Sequence, residues 1–171
     1  MNSDQKFNFL EASVLIPILT FKIDLEILLT KRSNSLKNHP GQIAFPGGKK
    51  DQIDSSPIET ALRETQEEVG LNPKNVEIIA SLPSHKTATG FVIKPYLGLI
   101  NQPFSEKLRQ GEVDEIFTVP YKYILNEKNF SIKTRKWNGS QRSYYVVPYG
   151  PYYIWGATAR ILLNLSRALS Q

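Results

Sequence analysis

Residues 63–70 read RETQEEVG and set Glu64, Glu67 and Glu68 within five positions of one another. On a helix, like charges three and four apart repel and cost stability. Carboxylates gathered in this way suit two kinds of chemistry, proton transfer and the coordination of a hard cation. The chain has two histidines, His39 and His85, and no cysteine, which excludes disulfides, thiolate zinc sites and a cysteine nucleophile. Any metal must then be held mainly by oxygens, favouring magnesium, manganese or calcium over zinc or copper. No Ser-His-Asp arrangement or nucleophile elbow occurs, and covalent acyl transfer is unsupported.

A helix must position these carboxylates, and the sequence supplies its start and stop. Ser56 can cap it, Pro57 suits the first turn, Glu59 completes a capping box, and Gly70 can end it. Ile58, Ala61, Leu62, Thr65 and Val69 then share an arc of about 100°, the width of a core-facing stripe. Glu64 and Glu68 lie about 40° apart on that wheel and Glu67 about 60° beyond Glu64, forming one acidic flank without a lysine. Arg63 is placed to orient a glutamate by bidentate pairing. The preceding GQIAFPGGKKD (41–51) reads as a loop in which Gly47 and Gly48 let the backbone approach a phosphate or metal closely.

The remaining elements follow from apolar pattern and punctuation. SVLIPIL (13–19) and LEILLT (25–30) read as a β-hairpin, and NVEIIASL (75–82) as a strand. GFVIKPYLGLI (90–100) reads as a strand weakened or bent by Pro95. VDEIFTVP (113–120) is another strand, followed by a helical turn at PYKYIL; residues 130–153 suit a hairpin or edge strands. Ala157, Ile161, Leu162, Leu165, Ala168 and Leu169 recur at helical spacing from Trp155 onward. Many strands and two main helices without regular alternation indicate an α+β fold, taken as one domain over 1–171.

Composition sets wider bounds. The apolar fraction of 40% and charged fraction of 22% are those of an ordinary globular protein. The net charge of +5 permits an anionic partner without naming one. The opening MNSDQKFNFLEASVLIPILTF lacks a basic n-region, so neither a signal peptide nor a membrane span is expected; the final ALSQ is not a peroxisomal address, and a cytoplasmic location is the default. No membrane partner is expected, and a homodimer is a compatible assembly.

The order GG…RExxEExG resembles the signature of the Nudix hydrolases. Gly48, Arg63, Glu64, Glu67, Glu68, Gly70 and Leu71 fall on it by position. The interval from Gly48 to Arg63 is one residue longer than the common pattern, and Asp54 or Ser55 stands near the place of a loop glutamate. Upstream, LLTKRSNSLKNHPGQIAFPGG (28–48) is similar to the second motif of the coenzyme A pyrophosphatase branch, which tends to carry the longer loop. Leu28, Leu29, Thr30, Arg32, Ser33, Gly41, Phe45, Pro46, Gly47 and Gly48 agree with that motif, and Lys37 replaces a usual arginine. TGFVIKPYLGLI, EVDEIFTVP and YYIWGATARIL extend the likeness to most of the chain.

The resemblance implies a Nudix-type α/β/α sandwich with a mixed sheet between helices. It also implies Mg²⁺- or Mn²⁺-dependent hydrolysis of a diphosphate in coenzyme A or an acyl derivative. Glu64, Glu67, Glu68 and Gly48 are then the metal-site residues, with Arg63 beside them, and Arg32, Lys37, Phe45, Gly47 and Gly48 meet substrate. Glu115 is a candidate base from a separate segment, or a plain strand-edge carboxylate. Lys49 and Lys50 read as surface cations, His39 and His85 as loop surface, and Trp155 as packing at a helix start. A different substrate, such as ADP-ribose, NADH or a nucleoside triphosphate, is the nearest rival. A non-catalytic RNA-binding protein is a more distant one, because the basic, aromatic stretch 121–145 is better explained as a half-exposed hairpin.

Overall fold

The computed structural model of the chain describes residues 9–137 and 139–169. The sequence readings that fall on residues 1–8 and 170–171 lie outside the described residues.

The expected hairpin forms from β1 (Leu10–Leu19) and β2 (Glu26–Arg32), both longer than the apolar runs alone suggested. The two strands pair only next to their turn, at Ile18–Ile27 and Leu19–Glu26. Beyond those pairs the glycine segment enters between them. β3 (Ile43–Ala44) pairs with β2 and β4 (Gly47–Lys49) with β1. Each end of the segment is thereby fixed to a different strand, while Leu15 N donates to Pro46 O at 2.9 Å.

β1 finds its main partner far along the chain. It runs parallel to β7 (Phe91–Ile100) from Leu10–Phe91 to Leu19–Ile100. The strand expected to be weakened or bent by Pro95 runs unbroken through it. Pro95 stands opposite Val14 of β1 and, on the other edge, falls between the segments paired with β5 (Glu77–Ser81) and β6 (His85–Lys86), where no pairing needs its missing N–H. β8 (Val113–Pro120) pairs antiparallel with β2. The short helix α2 (Tyr121–Leu125) follows as expected. A second antiparallel sheet contains β9 (Ser131–Trp137), β10 (Ser140–Tyr149) and β11 (Tyr152–Trp155).

The mixed sheet lies between α1 (Pro57–Val69) and α3 (Gly156–Leu169). Leu15, Leu19, Leu28 and Ile100 pack with Val69 and Leu71 on one side. Ile16, Ile27, Leu29 and Phe117 pack with Ala159, Ile161, Leu162 and Leu165 on the other. This is the expected α+β sandwich. Three details differ from the wheels. Ile58, expected in the core stripe, is 37% exposed, Ala168 is exposed, and Leu169 is 48% exposed. Each is near a helix end. Among the described residues no helix is long and apolar enough to cross a membrane.

Candidate active site

The start of α1 is held by reciprocal caps. Ser56 Oγ accepts from Glu59 N at 3.2 Å, and the Glu59 carboxylate reaches back to Ser55 N at 2.6 Å, one residue earlier than a simple capping box. At the other end Gly70 adopts φ 80 and donates to Gln66 O. The segment after it folds back, with Lys107 N on Val69 O and Arg109 N on Glu68 O. Carbonyls that a helix end leaves unpaired are thus satisfied, and the last turn, with two of the glutamates, is fixed.

Arg63 organises the acidic flank, though not as expected. Its bidentate partner is Asp54, with Nε–Oδ1 at 2.8 Å and Nη2–Oδ2 at 2.9 Å. Asp54 is buried and also accepts from Thr60 Oγ1 at 2.9 Å and Asp51 N at 2.8 Å. The Arg63 guanidinium holds the Asp54 carboxyl well below the usual range, and Asp54 in turn raises Arg63. The remaining nitrogen, Nη1, meets Glu64 Oε1 at 3.0 Å and Glu67 Oε1 at 3.2 Å. The residue standing near the loop-glutamate position is therefore the anchor of the arginine. The available signal was chemical: an arginine on the edge of a buried stripe needs a carboxylate.

The three glutamates prove unequal. Glu67 is the most exposed, and its second oxygen accepts from Arg109 Nη1 at 2.7 Å, so it is shared by two guanidiniums. Glu64 is mostly covered, and burial, partly offset by Arg63, pushes its carboxyl up. Glu68 is 7% exposed, and Gly47 N donates to its Oε2 at 3.2 Å. Burial pushes its carboxyl up to about 8, against the Gly47 hydrogen bond and with help from the Glu64 charge.

β4 closes over this pair at a distance only glycine permits. A Cβ on Gly48 would stand 2.5 Å from Glu64 Cδ, and one on Gly47 would stand 2.3 Å from Ser13 O. The main chain at Gly47 and Gly48 therefore lies against Glu64 and Glu68. Among the described residues no three acidic or histidine side chains converge as a ready-made metal cage. That agrees with the donor set, because Mg²⁺ commonly takes one or two carboxylates and keeps waters and substrate phosphates for its other positions. A buried, poorly compensated Glu68 beside Glu64 fits such an ion.

Arg32 flanks the same place. Its charge acts on Glu68, its Nη2 donates to Asn38 O at 3.5 Å, and its buried Nε has no hydrogen-bond partner among the described residues. Lys37 is exposed on the adjoining loop. Phe45, expected to meet substrate, is instead a core side chain at 4% exposure, since the apolar ring fills the layer beneath α3.

Glu115 does not join the trio. Strand register places it beside Lys31, on the side of the sheet that carries Leu29 and Phe117, and it accepts a hydrogen bond from the Tyr152 hydroxyl. The candidate base from a separate segment thus lies on the sheet face opposite the one that packs against α1. Lys49 lies over the Phe91 ring at 5.3 Å and Lys50 pairs with Glu11 at 3.7 Å, as surface cations do. His39 is exposed. His85, expected on a loop surface, lies partly buried in β6, and burial pushes its imidazole down.

Comparison with known proteins agrees with this arrangement. The sequence matches the NUDIX domain over residues 10–137. It is 36% identical over 156 residues to a protein of Enterobacter sp. (strain 638) named "Uncharacterized Nudix hydrolase NudL", covering 91% of this chain and 81% of that one. The protein of the same name from Escherichia coli (strain K12 / DH10B) is 35% identical over 162 residues, covering 95% and 84%. Among solved structures, the NUDIX domain of Shewanella oneidensis NrtR complexed with ADP ribose superposes with a TM-score of 0.62 at 18% identity, covering 95% of this chain and 89% of that one. A C. elegans Ap4A hydrolase binary complex gives 0.56 at 20% identity, covering 65% and 80%. The structures share the fold, and the sequence match goes further: this chain belongs to the Nudix hydrolases, which act on pyrophosphate bonds and generally require divalent metal ions.

Proposed function

We propose that this chain, as one Nudix domain over residues 1–171, hydrolyses the diphosphate bond of coenzyme A or an acyl-coenzyme A. The products are phosphopantetheine, or its acyl form, and adenosine 3′,5′-bisphosphate. The observation that supports this substrate is Arg32. It comes from the segment that resembles the coenzyme A branch, and it brings a buried, unpartnered Nε to the neighbourhood of Glu68. A carboxylate pair alone suits a cation. A guanidinium with spare donors beside it adds a phosphate contact, and Lys37 on the same loop offers a second positive charge.

Glu64 and Glu68 with the Gly48 main chain, and Glu67 beside them, would hold a Mg²⁺ or Mn²⁺ ion. When bound, such an ion would supply polarisation of the phosphoryl oxygens and charge stabilisation of the leaving phosphate. Arg63, locked by Asp54, keeps Glu64 and Glu67 in place through its free nitrogen. Gly47 N orients Glu68. Arg32 neutralises and positions the diphosphate, and a glutamate of the trio takes the proton of the attacking water. The proposed setting is the cytoplasm.

The test is hydrolysis of coenzyme A, ADP-ribose, NADH and nucleoside triphosphates with Mg²⁺ or Mn²⁺, with both products of each resolved. Coenzyme A should be cleaved fastest, and ADP-ribose or NADH turned over equally fast or faster would reject it as the substrate. Glu68→Gln should lose roughly a thousandfold or more in kcat, since several kcal/mol of charge stabilisation go with a metal ligand. Full activity in that variant removes Glu68 from the metal site.

A further inference from the structure

Residues 128–171 contain seven lysines and arginines and no aspartate or glutamate. All sixteen acidic residues of the chain precede them, beside fourteen basic ones, so the net charge of +5 belongs to the C-terminal part alone. Four of the seven cations, Lys133, Arg135, Lys136 and Arg142, lie on the ribbon of β9 and β10. The half-exposed alternation that would explain this basic, aromatic stretch holds only where β10 reaches the core through Val146 and Val147. Every residue of β9 is exposed, and its outer edge pairs with no strand among the described residues. Surface cations elsewhere find carboxylates, as Lys50, Lys122 and Arg167 do. Among the described residues none of the four on the ribbon does.

Strand register sets Lys133, Arg135 and Trp137 of β9 on one face with Arg142 and Tyr144 of β10. Arg135 stands directly opposite Arg142, and like charges so placed destabilise a ribbon unless an anion lies between them. The Arg135 guanidinium lies over the Trp137 ring at 6.0 Å, and Lys133 faces Tyr144. Trp137 is 51% exposed, and Tyr144 is braced edge-on by Trp155 at 5.4 Å.

Cations spaced along an open strand, with rings between them, match a flexible polyanion that carries flat groups. An acidic protein would use the charges and leave the rings idle. An anionic membrane would favour apolar residues gathered at the turn, where Trp137 is followed by Asn138, Gly139 and Ser140. Pairing β9 with that of a second copy would set like charges against one another. The ribbon also exposes Thr134, Ser140, Gln141 and Ser143, polar groups suited to the 2′-hydroxyls of RNA.

We propose that the ribbon of β9 and β10 is a docking face for single-stranded RNA, with phosphates on Lys133, Arg135, Lys136 and Arg142 and a base stacked on Trp137. The ribbon belongs to the second sheet, apart from α1 and β4, so the docking face is independent of which diphosphate the enzyme cleaves.

The test is fluorescence anisotropy of the full chain with a fluorescein-labelled single-stranded RNA of about fifteen nucleotides, from about 50 to 200 mM salt. The logarithm of the association constant should fall by about 3 for each tenfold rise in salt, as four phosphate contacts require. The triple variant Arg135→Gln, Lys136→Gln, Arg142→Gln should reduce that slope to about 1. Trp137→Ala should weaken binding about tenfold and leave the slope unchanged. Duplex RNA, which hides its bases, and DNA of the same sequence should each bind at least about fivefold more weakly. Both variants should melt with the wild type and cleave the diphosphate substrate at the wild-type rate, so that loss of RNA binding is read apart from folding and from catalysis. No saturable binding at about 50 mM salt, equal binding of duplex RNA or of DNA, or an affinity indifferent to Trp137→Ala overturns the proposal. Binding to phosphatidylserine vesicles without binding to RNA overturns it in favour of a membrane surface.

Discussion

Burial lifts the Glu68 carboxyl from its ordinary 4.5 to about 8, so ionising it inside the folded chain costs stability as pH rises across that interval. The folded state binds the extra proton there, and the penalty levels off above about 8. In chelator, Glu68→Gln should melt above wild type, with a gap that opens from about pH 4.5 and stops growing near pH 8. Added Mg²⁺ should raise the wild-type melting temperature and leave the variant nearly unmoved. Calorimetry reads both effects, and a gap independent of pH removes burial as its cause. Asp54 has the opposite sign. Arg63 depresses its carboxyl, so the pair stabilises the chain above about 3.8 and loses that contribution as pH falls through the lower folded value. Asp54→Asn should cost about 2–3 kcal/mol in urea unfolding at pH 7, and the deficit should shrink below about pH 3.8.

At the level of elements, α1 and the glycine strand define the site together, and their two glycines have different duties. Gly48→Ala drives a Cβ into the movable end of Glu64, whereas Gly47→Ala drives one into the main chain of Ser13 and Val14. Gly48→Ala should therefore cost less than about 1 kcal/mol of stability while reducing kcat at least about tenfold. Gly47→Ala should cost about 1–3 kcal/mol in the same unfolding assay. Much of this pairing was legible in the sequence. Ser56, Pro57, Glu59 and Gly70 bounded the helix, and the periodicity of 161–165 marked α3. The wheel placed Glu64 and Glu68 side by side but could not say what covers them, because β4 arrives from another part of the chain. The second arginine on Glu67 was hidden for the same reason, since Arg109 lies 42 residues away. Glu115 is a different case. In VDEIFTVP it has the parity of Phe117 and Val119, which are core residues below α3, and alternation alone would have moved it off the α1 face.

For the whole molecule, the parallel pairing of β1 with β7 is a long-range commitment that local pattern does not encode. It joins Leu10–Leu19 to Phe91–Ile100 and places Leu15 in the layer beneath α1. Leu15 is fully buried, so Leu15→Ala should cost about 2–5 kcal/mol in denaturant unfolding, with a midpoint shift at unchanged slope. The paired strands also hold the glycine segment from both sides, while the excursion from Arg32 to Gln42 is closed at its root by two main-chain hydrogen bonds. Length or composition within residues 33–40 can therefore change without tension reaching Gly48. In evolutionary terms the loop is a cartridge and the carboxylate pair a fixed socket. One scaffold can then exchange what it recognises while the apparatus that breaks the bond is inherited unchanged.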